Sequence, residues 1–342
     1  MRQAGRADVQ DTALLDAAVG GDGDAYARLI AGYLPQLRVH CYRMLGSYHD
    51  AEEATQETML RAWRSLPSYQ ARAPLAHWLY RIATTTCLMM IRTRSRRPVT
   101  VGEIGYLEPF PDRQLDELPA DGLDPAAVVA QRESVALAFV AALQLLPATQ
   151  RGVLILRDVL TLPSAEVAEL LDSSVAAVNS ALQRARTTLA ANPAGWPAQP
   201  RPLTPTDRAV LDRFVYAWHR CDIDGLAALL HEDAVLRMPP QPHPVQGRDQ
   251  IAQFFATVPA AGRLDQIRLR PTGANGQLAL AAYLPDQTAA LQPYGIMVFD
   301  TADARIQAIT GFADPGLFAA FALPATGGLS TPVPVVASGG SA

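Results

Sequence analysis

Four stretches of this chain carry residues whose types and spacing could do chemistry. In "YQARAPLAHWLYRIATTTCLMMIRTRSRR" (69–97), the aromatics Tyr69, Trp78 and Tyr80 precede the cations Arg92, Arg94, Arg96 and Arg97. Flat rings stack on unpaired bases while nearby cations hold phosphates, so the pattern suits single-stranded nucleic acid. The plain alternative is a core of aromatics with a solvated helix end. In "DAEEATQETMLRAWRSL" (50–66), helical spacing puts Asp50, Glu53, Glu57, Arg61 and Arg64 on one stripe. That stripe is either a docking face for a protein or a solvated face with a Glu57–Arg61 pair one turn apart. In "SVAAVNSALQRARTTL" (174–189), apolar Val175, Val178, Leu182, Ala185 and Leu189 mark a buried face. Ala176, Ala177, Ser180, Gln183, Arg184 and Thr187 lie opposite. The fourth stretch holds His219, His231 and His243 near Asp222, Glu232 and Asp233, without zinc-binding or catalytic-triad spacing. The "HED" at 231–233 reads as surface loop.

These residues need helices to hold them. Residues 12–96 are helical in pattern throughout. "SAEVAELLD" (164–172) is a short amphipathic helix joined to 174–189 through Ser173 and Ser174, either a plausible N-cap. Such a pair fits a helix-turn-helix, whose second helix enters the major groove. Two Pro-rich segments interrupt the helical pattern. Residues 98–127 are rich in Pro, Gly and acids, and "NPAGWPAQPRPLTPTD" carries five prolines. Beyond Asp207, helices at "DRAVLDRFVYAWHR", "DGLAALL" and "GRDQIAQFFATV" are followed by strand-like stretches near 264–270, 277–284, 293–300 and 304–312. Helices followed by antiparallel strands describe an α+β domain. Met238, Phe254, Phe255, Tyr283, Tyr294, Met297 and Phe312 would line a pocket there or form its plain core.

Composition narrows the classes. At 342 residues the chain exceeds one ordinary core, and 49% hydrophobic with 18% charged residues is globular. The net charge of −4 is uneven. Residues 1–100 hold 13 Arg against 9 acids, and 101–135 hold 2 against 8. A free-standing nucleic-acid binder carries a stronger basic excess. All 29 basic residues are Arg, which composition alone explains. Three scattered cysteines, no signal-peptide pattern and no long apolar run predict a cytoplasmic protein with free thiols and no membrane partner.

Together these stretches resemble one family, the extracytoplasmic-function (ECF) sigma factors of bacterial RNA polymerase, in the subgroup with a carboxyl-terminal SnoaL-like domain. "CYRMLGSYHDAEEATQETMLRAWRSLPSY…HWLYRIATTTCL" is similar to sigma region 2, and "ALQLLPATQRGVLILRDVLTLPSAEVAELLDSSVAAVNSALQRARTTL" to region 4. "FVYAWHRCDIDGLAALLHEDAVLRMPPQP…VQGRDQIAQFF" with "ITGFADPGLFAAFALP" is similar to SnoaL-like domains.

The resemblance implies a multidomain fold: two all-α sigma domains (a region 2 helical bundle and a region 4 helix-turn-helix) and an α+β SnoaL-like cone. The implied bounds are 12–97 for region 2, 98–127 for an acidic linker and 128–191 for region 4. A Pro-rich linker (192–203), the cone (204–323) and a disordered tail (324–342) follow. Core RNA polymerase, through its clamp coiled coil and flap, and promoter DNA are the implied partners. Asp50, Glu52, Glu53, Gln56 and Glu57 match the clamp-docking helix. Tyr69 to Trp78 match the capture site for a flipped minus-ten base, with Arg92, Arg94, Arg96 and Arg97 as phosphate contacts. Ser174, Ala176, Ala177, Ser180, Gln183, Arg184 and Arg186 match the helix that reads the minus-thirty-five element. The acidic linker is expected to mimic nucleic acid in the polymerase cleft.

The chain departs from the family at Thr85 and Met89, where polar groups usually face promoter DNA, and in having only Arg184 and Arg186 on or beside its reading helix. A sigma factor tolerates so quiet a helix because polymerase joins two weak modules. The cone is expected to regulate, without catalysis, metal or cofactor, and a small ligand is a further candidate partner. Its expected regulatory surface is Asp314, Pro315, Phe318 and Phe321, with the turn at 314–316 exposing both phenylalanines. Two other classes stay open: a cyclase- or isomerase-like enzyme fused to a DNA-binding module, and a stand-alone ligand-sensing regulator.

Overall fold

The computed structural model describes residues 4–71, 74–94, 107–118, 134–191, 203–241 and 243–325. The first unit is helical: α1 (Ala4–Val19), α2 (Gly23–Ala31), α3 (Leu34–Leu45), α4 (Tyr48–Ser65) and α5 (Leu75–Arg94). Local sequence sets the corner between α3 and α4. Gly46, at φ 75°, ends α3 in the left-handed region, and Ser47 caps α4 by accepting from the Asp50 N–H at 3.2 Å. Leu37, Cys41, Tyr42 and Met44 then fill the bundle core from α3.

The acidic segment expected to be a linker is ordered at 107–118. Leu107 and Phe110 are fully buried and a short helix, α6 (Asp112–Leu115), follows. The second helical unit holds α7 (Leu137–Gln144), α8 (Ala148–Leu154), a π-helical turn (Ile155–Val159), α9 (Ser164–Leu170) and α10 (Val175–Ala190). It packs tightly on the first: a Cβ on Gly152 would already touch Met44 and Thr84 at 3.6 Å. Arg151 crosses this seam, donating to the Met44, Gln144 and Leu146 carbonyls.

The third unit begins with α11 (Pro205–His219), started by a Thr204–Asp207 capping box, then α12 (Ile223–Leu229) and β1 (Leu230–Arg237). β2 (Val245–Gln246), α13 (Arg248–Thr257), β3 (Arg268–Ala274), β4 (Gln277–Pro285), β5 (Leu291–Ala302), β6 (Arg305–Phe312) and α14 (Leu317–Ala320) complete it. The six strands run in the order β2-β1-β6-β5-β4-β3. Two expectations are corrected here. The sheet is mixed, since β1 pairs parallel with β6. The "HED" at 231–233 lies in β1 and not in a loop. The β1–β6 register breaks between Leu230 and Val235, which leaves Glu232 and Asp233 exposed within the strand.

Strand β4 shows how the third unit is held. Leu278, Leu280 and Ala282 face the core formed with α11 and α13, where Phe214, Trp218 and Phe255 pack. Ala279, Ala281 and Tyr283 face the other way, into a core shared with the two helical units and the 107–118 segment. A strand covered on both sides reads as an almost unbroken apolar run, and "LALAAYL" does.

The polar centre of that docking is the β3–β4 turn. Asn275 (φ 59°) and Gly276 (φ 71°) form the two-residue hairpin that an Asn-Gly pair favours. The Asn275 backbone N–H donates to the Phe110 carbonyl at 2.8 Å, and its Oδ1 accepts from the Phe110 N–H at 2.9 Å. Its Nδ2 donates to the Tyr42 hydroxyl at 2.8 Å and the Val135 carbonyl at 2.7 Å. Tyr42 in turn donates to the Glu108 carbonyl at 2.8 Å. Burial, helped by the charge of Glu108 and only partly offset by the Asn275 hydrogen bond, raises the Tyr42 hydroxyl well above its usual range, so it stays a protonated donor.

Two outcomes follow. Asn275→Ala leaves at least one buried donor and two buried acceptors short of a partner and puts alanine in the left-handed region. It should cost about 3 kcal/mol or more in urea denaturation of the full chain. Asn275→Gly, which keeps the turn, should cost less. The second concerns Glu108, whose carboxyl is desolvated yet held below its ordinary value by the His49 and Ser47 hydrogen bonds. A depressed folded value means its contribution is complete above the ordinary Glu value of about 4.3 and fades as pH falls through the folded one. Stability should therefore drop below about pH 4 more steeply in the native chain than in Glu108→Gln.

Candidate functional site

The acidic stripe on α4 divides into engaged and available residues. Glu52 is ion-paired with Arg38, and a second nitrogen of Arg38 lies 3.5 Å from Glu117 of the ordered acidic segment. Glu57 holds Arg61 at 2.5 Å. Asp50 is half-buried in the first turn. Glu53 and Gln56 are exposed, and Leu60, 52% exposed, continues the same face one turn on.

The aromatic–arginine stretch splits similarly. Tyr69 and Trp78 are half-buried, their ring centroids 5.2 Å apart, and pack with Leu66 and with Leu14 and Leu15 of α1. Tyr80 belongs to the core, edge-on to His40 with centroids 5.2 Å apart. Burial keeps that histidine neutral, its value pushed down to about 3, with Nε2 2.9 Å from the Thr84 hydroxyl. Arg92 is exposed and α5 ends at Arg94. Arg96 and Arg97 lie outside the described residues. Thr85 is exposed and turned back on the Arg81 carbonyl at 2.9 Å.

In the helix pair, Ser174 caps α10 by accepting from the Ala177 N–H at 3.1 Å. Ser164 donates to Asn179 at 2.8 Å and ties α9 to α10. Ala176, Ala177, Ser180, Gln183 and Arg184 are exposed, while Val178, Leu182 and Ala185 are buried. Two residues depart from expectation. Val175 is 45% exposed, because it opens α10 beyond the cover of the two-turn α9. Arg186 is gripped by both Asp158 oxygens, at 2.9 and 2.6 Å, so it braces α10 against the π-helical turn. The pair also leans on the first unit, where His77, beside Trp78, meets Glu166 of α9 at 2.9 Å.

The expected regulatory surface is corrected as well. Phe318 and Phe321 are buried, and Phe318 stacks edge-on to Tyr283 with centroids 5.0 Å apart. They belong to the shared core because the short α14 folds back on the outer face of the sheet. Pro315 is exposed, and Asp314 is half-exposed beside a cavity of about 410 Å³. Met238, Phe254, Phe255, Tyr294, Met297 and Phe312 line this cavity, whereas Tyr283 faces the docked units. His219 and Asp222 do not line it. Burial and Arg268 lower the His219 value, and Asp222 caps α12 through the Gly225 N–H at 2.8 Å.

Glu108 was not anticipated as a structural residue. It is 2% exposed, accepts from the Ser47 hydroxyl at 2.8 Å and the His49 N–H at 2.9 Å, and pairs with His49 Nδ1 at 3.0 Å. Among the described residues, His49, Glu108 and Asp314 bring ligand atoms within 4.8 Å of one another. They come from three different units, so no sequence spacing reveals them. The Asn275 turn did leave a signal, the Asn-Gly pair between two strand-like runs.

With this geometry in hand, comparison with known proteins is specific. Residues 29–97 match Sigma-70 region 2, 136–189 match Sigma-70, region 4, and 211–309 match the SnoaL-like domain. The ECF RNA polymerase sigma factor SigG of Mycobacterium tuberculosis is 40% identical over 309 residues, spanning 85% of this chain and 82% of that protein. SigJ of the same organism, also an ECF RNA polymerase sigma factor, is 30% identical over 291 residues, covering 81% and 88%. The crystal structure of M. tuberculosis SigJ aligns over 84% of this chain and 97% of its own with a TM-score of 0.58 at 24% identity, a likeness of fold. No described helix is long and apolar enough to cross a membrane. Two helical units that match regions 2 and 4, joined to an α+β unit on a shared core, place the chain in the ECF sigma factors of RNA polymerase, with a SnoaL-like domain fused at the carboxyl end.

Proposed function

We propose that the chain directs core RNA polymerase to promoters, that this compact arrangement is its closed form, and that the SnoaL-like domain regulates by holding it closed. One observation carries the reading: the 2.9 Å contact between His77 and Glu166. The first flanks the expected minus-ten capture site and the second lies in the minus-thirty-five helix pair. Those promoter elements are about 25 base pairs apart, or about 85 Å of duplex at 3.4 Å per step. Units in contact cannot engage both, so promoter binding requires them to separate.

The Asn275 turn supports the regulatory half of the reading, because it ties the Tyr42 hydroxyl, Phe110 and Val135 to the third unit at once. Opening must break that set together. The role is regulatory and not catalytic: it asks only for a preference of a few kcal/mol between arrangements, enough to move a two-state population. The histidines at 219, 231 and 243, the candidates the sequence offered for general acid–base work, do not line the cavity.

Polymerase docking falls to Glu53, Gln56 and Leu60 on α4, on the clamp coiled coil, with region 4 on the flap. Asp50, Glu52 and Glu57 frame that face while bracing the fold. Arg92, Arg94, Arg96 and Arg97 hold promoter phosphates. Ser180 and Gln183 read bases, helped by Ser174, Ala176 and Ala177 at the amino end of the helix and by Arg184 on the backbone. Arg186 would join them only after leaving Asp158.

Glu53→Arg should weaken core polymerase binding tenfold or more, measured by fluorescence anisotropy of labelled protein, while circular dichroism stays unchanged. Unaltered affinity would remove α4 from the interface. The closed-form reading is tested by in vitro transcription at limiting polymerase. Asp112 accepts from the Gly276 N–H at 2.7 Å, so Asp112→Ala loosens the joint without touching α4 or α10. Open-complex formation should rise several-fold, and an unchanged or lower yield from a folded variant would mean that closure does not inhibit.

A further inference from the structure

The cavity of about 410 Å³ is not a feature of the SnoaL-like domain alone. Trp218 and Phe255 come from its helices, and Ile296 and Phe312 from its sheet, but Leu107 and Glu108 come from the segment that joins the two sigma units. That segment is fixed to the helical bundle: Glu108 donates its N–H to the Gly46 carbonyl at 3.0 Å and accepts from the Tyr42 hydroxyl at 2.8 Å. One wall of the pocket is therefore carried by a different unit from the rest, and the pocket is complete only when the chain is closed.

Its chemistry is polarised. The walls are mostly aliphatic and aromatic, which suits an apolar body. At one end Glu108 and Asp314 present carboxylates, and Glu108 is held ionised by its hydrogen bonds. Elsewhere in the wall, Trp218 is 2% exposed and its Nε1 is buried without a hydrogen-bond partner among the described residues. A buried indole N–H normally has an acceptor. A molecule in the cavity that brings an acceptor would supply one.

We infer that this composite cavity is a small-molecule site for an uncharged or cationic amphiphile of two or three rings. Such a ligand presents a hydroxyl or amine donor to Glu108 and Asp314 and an acceptor to the Trp218 N–H. Anionic amphiphiles are disfavoured by the two carboxylates, although Glu108 is shared with His49. Because the ligand touches the joining segment and the SnoaL-like domain together, it binds the closed arrangement better than the open one and by linkage stabilises it. The inference extends the regulatory reading, but its test contains no polymerase, so either can fail without the other.

The probe is N-phenyl-1-naphthylamine, a neutral aryl amine, set against its sulfonated relative 1-anilinonaphthalene-8-sulfonate. The two share a skeleton and differ in the negative charge. Fluorescence titration of the full chain should give a micromolar Kd for the neutral probe and at least tenfold weaker binding of the sulfonate. Gly311 lines the cavity, and a Cβ there meets only Met238 at 3.7 Å and the Arg237 carbonyl at 3.9 Å, so Gly311→Leu fits at its root and fills the space. It should raise the Kd of the neutral probe at least tenfold. Leu107→Ala should raise it several-fold, and Asp314→Asn should narrow the gap between the probes at least threefold. Absence of binding, equal affinity for the two probes, or an unchanged Kd in a folded Gly311→Leu protein would overturn the site. If that variant does not fold, Asp314→Asn decides: an unchanged gap overturns it. An unchanged Kd in Leu107→Ala would overturn its composite character.

Discussion

The arrangement of this chain depends on one carboxamide having all of its hydrogen bonds met by other units. Asn275 sits at the tip of a two-residue turn, where its side chain would ordinarily face water. Here it is 1% exposed and meets the first helical unit, the joining segment and the lead into the second. A buried amide with both ends bonded contributes modestly, whereas one left half-bonded costs several times as much. The joint is therefore close to all-or-none. Asp112 and Gln277 strengthen it from either side, Asp112 by accepting from the Gly276 N–H and Gln277 by accepting from the Leu137 N–H at 3.0 Å.

Around that polar centre the apolar surfaces follow. The outer face of the sheet gives Ala279, Ala281, Tyr283 and Val298 to a core that also holds Leu107, Phe110, Val135 and Leu137. Small residues on β4 let the joining segment approach, and the larger Tyr283 and Phe318 close the edge. Arg43 and Arg151 mark the second seam, between the two helical units. Burial depresses both to about 10; Arg43 donates across the seam to Ser134, and Arg151 donates across it to the Met44 carbonyl and within its own unit to Gln144 and Leu146. Hydrogen bonds from a buried arginine to carbonyl oxygens are specific in geometry and modest in net strength, which would suit a seam that parts in the proposed role.

Much of this was legible in the residues. Periodicity gave the helices of all three units, and Ser174, one of the two serines read as a cap, marks the start of α10 by the ordinary preference for a side-chain oxygen there. Strand β1 was hidden because its bulge places "HED" in the middle of the strand and breaks the alternation that identifies strands. Segment 107–118 joins the two helical units as a linker should, but its order was not legible, because Pro and acidic residues look alike in a solvated linker and in an ordered wedge. What distinguishes them is that Glu108 finds Ser47 and His49, some sixty residues away. Phe318 and Phe321 were placed on the surface from a turn motif that fixes direction but not what lies opposite. The apolar run of β4 was the one signal of a sheet covered on both faces, and it is ambiguous until the second cover is known.

The weak basic character of α10, the proposed reading helix, then has a structural consequence. Val175 adds apolar exposure at its start, and Arg186 is taken by Asp158, which leaves Arg184 as the exposed arginine of α10 without that engagement. Phosphate contacts supply most of the affinity of such modules, so a helix with so few binds DNA feebly by itself. In the proposed role, the same feebleness makes closure effective. A strongly basic helix would pull the units apart on any DNA, and the joint at Asn275 would have to be correspondingly stronger to resist. With a quiet helix, a joint of a few kcal/mol governs the equilibrium, and only simultaneous engagement of polymerase and promoter, which adds the two weak contacts as avidity, outweighs it.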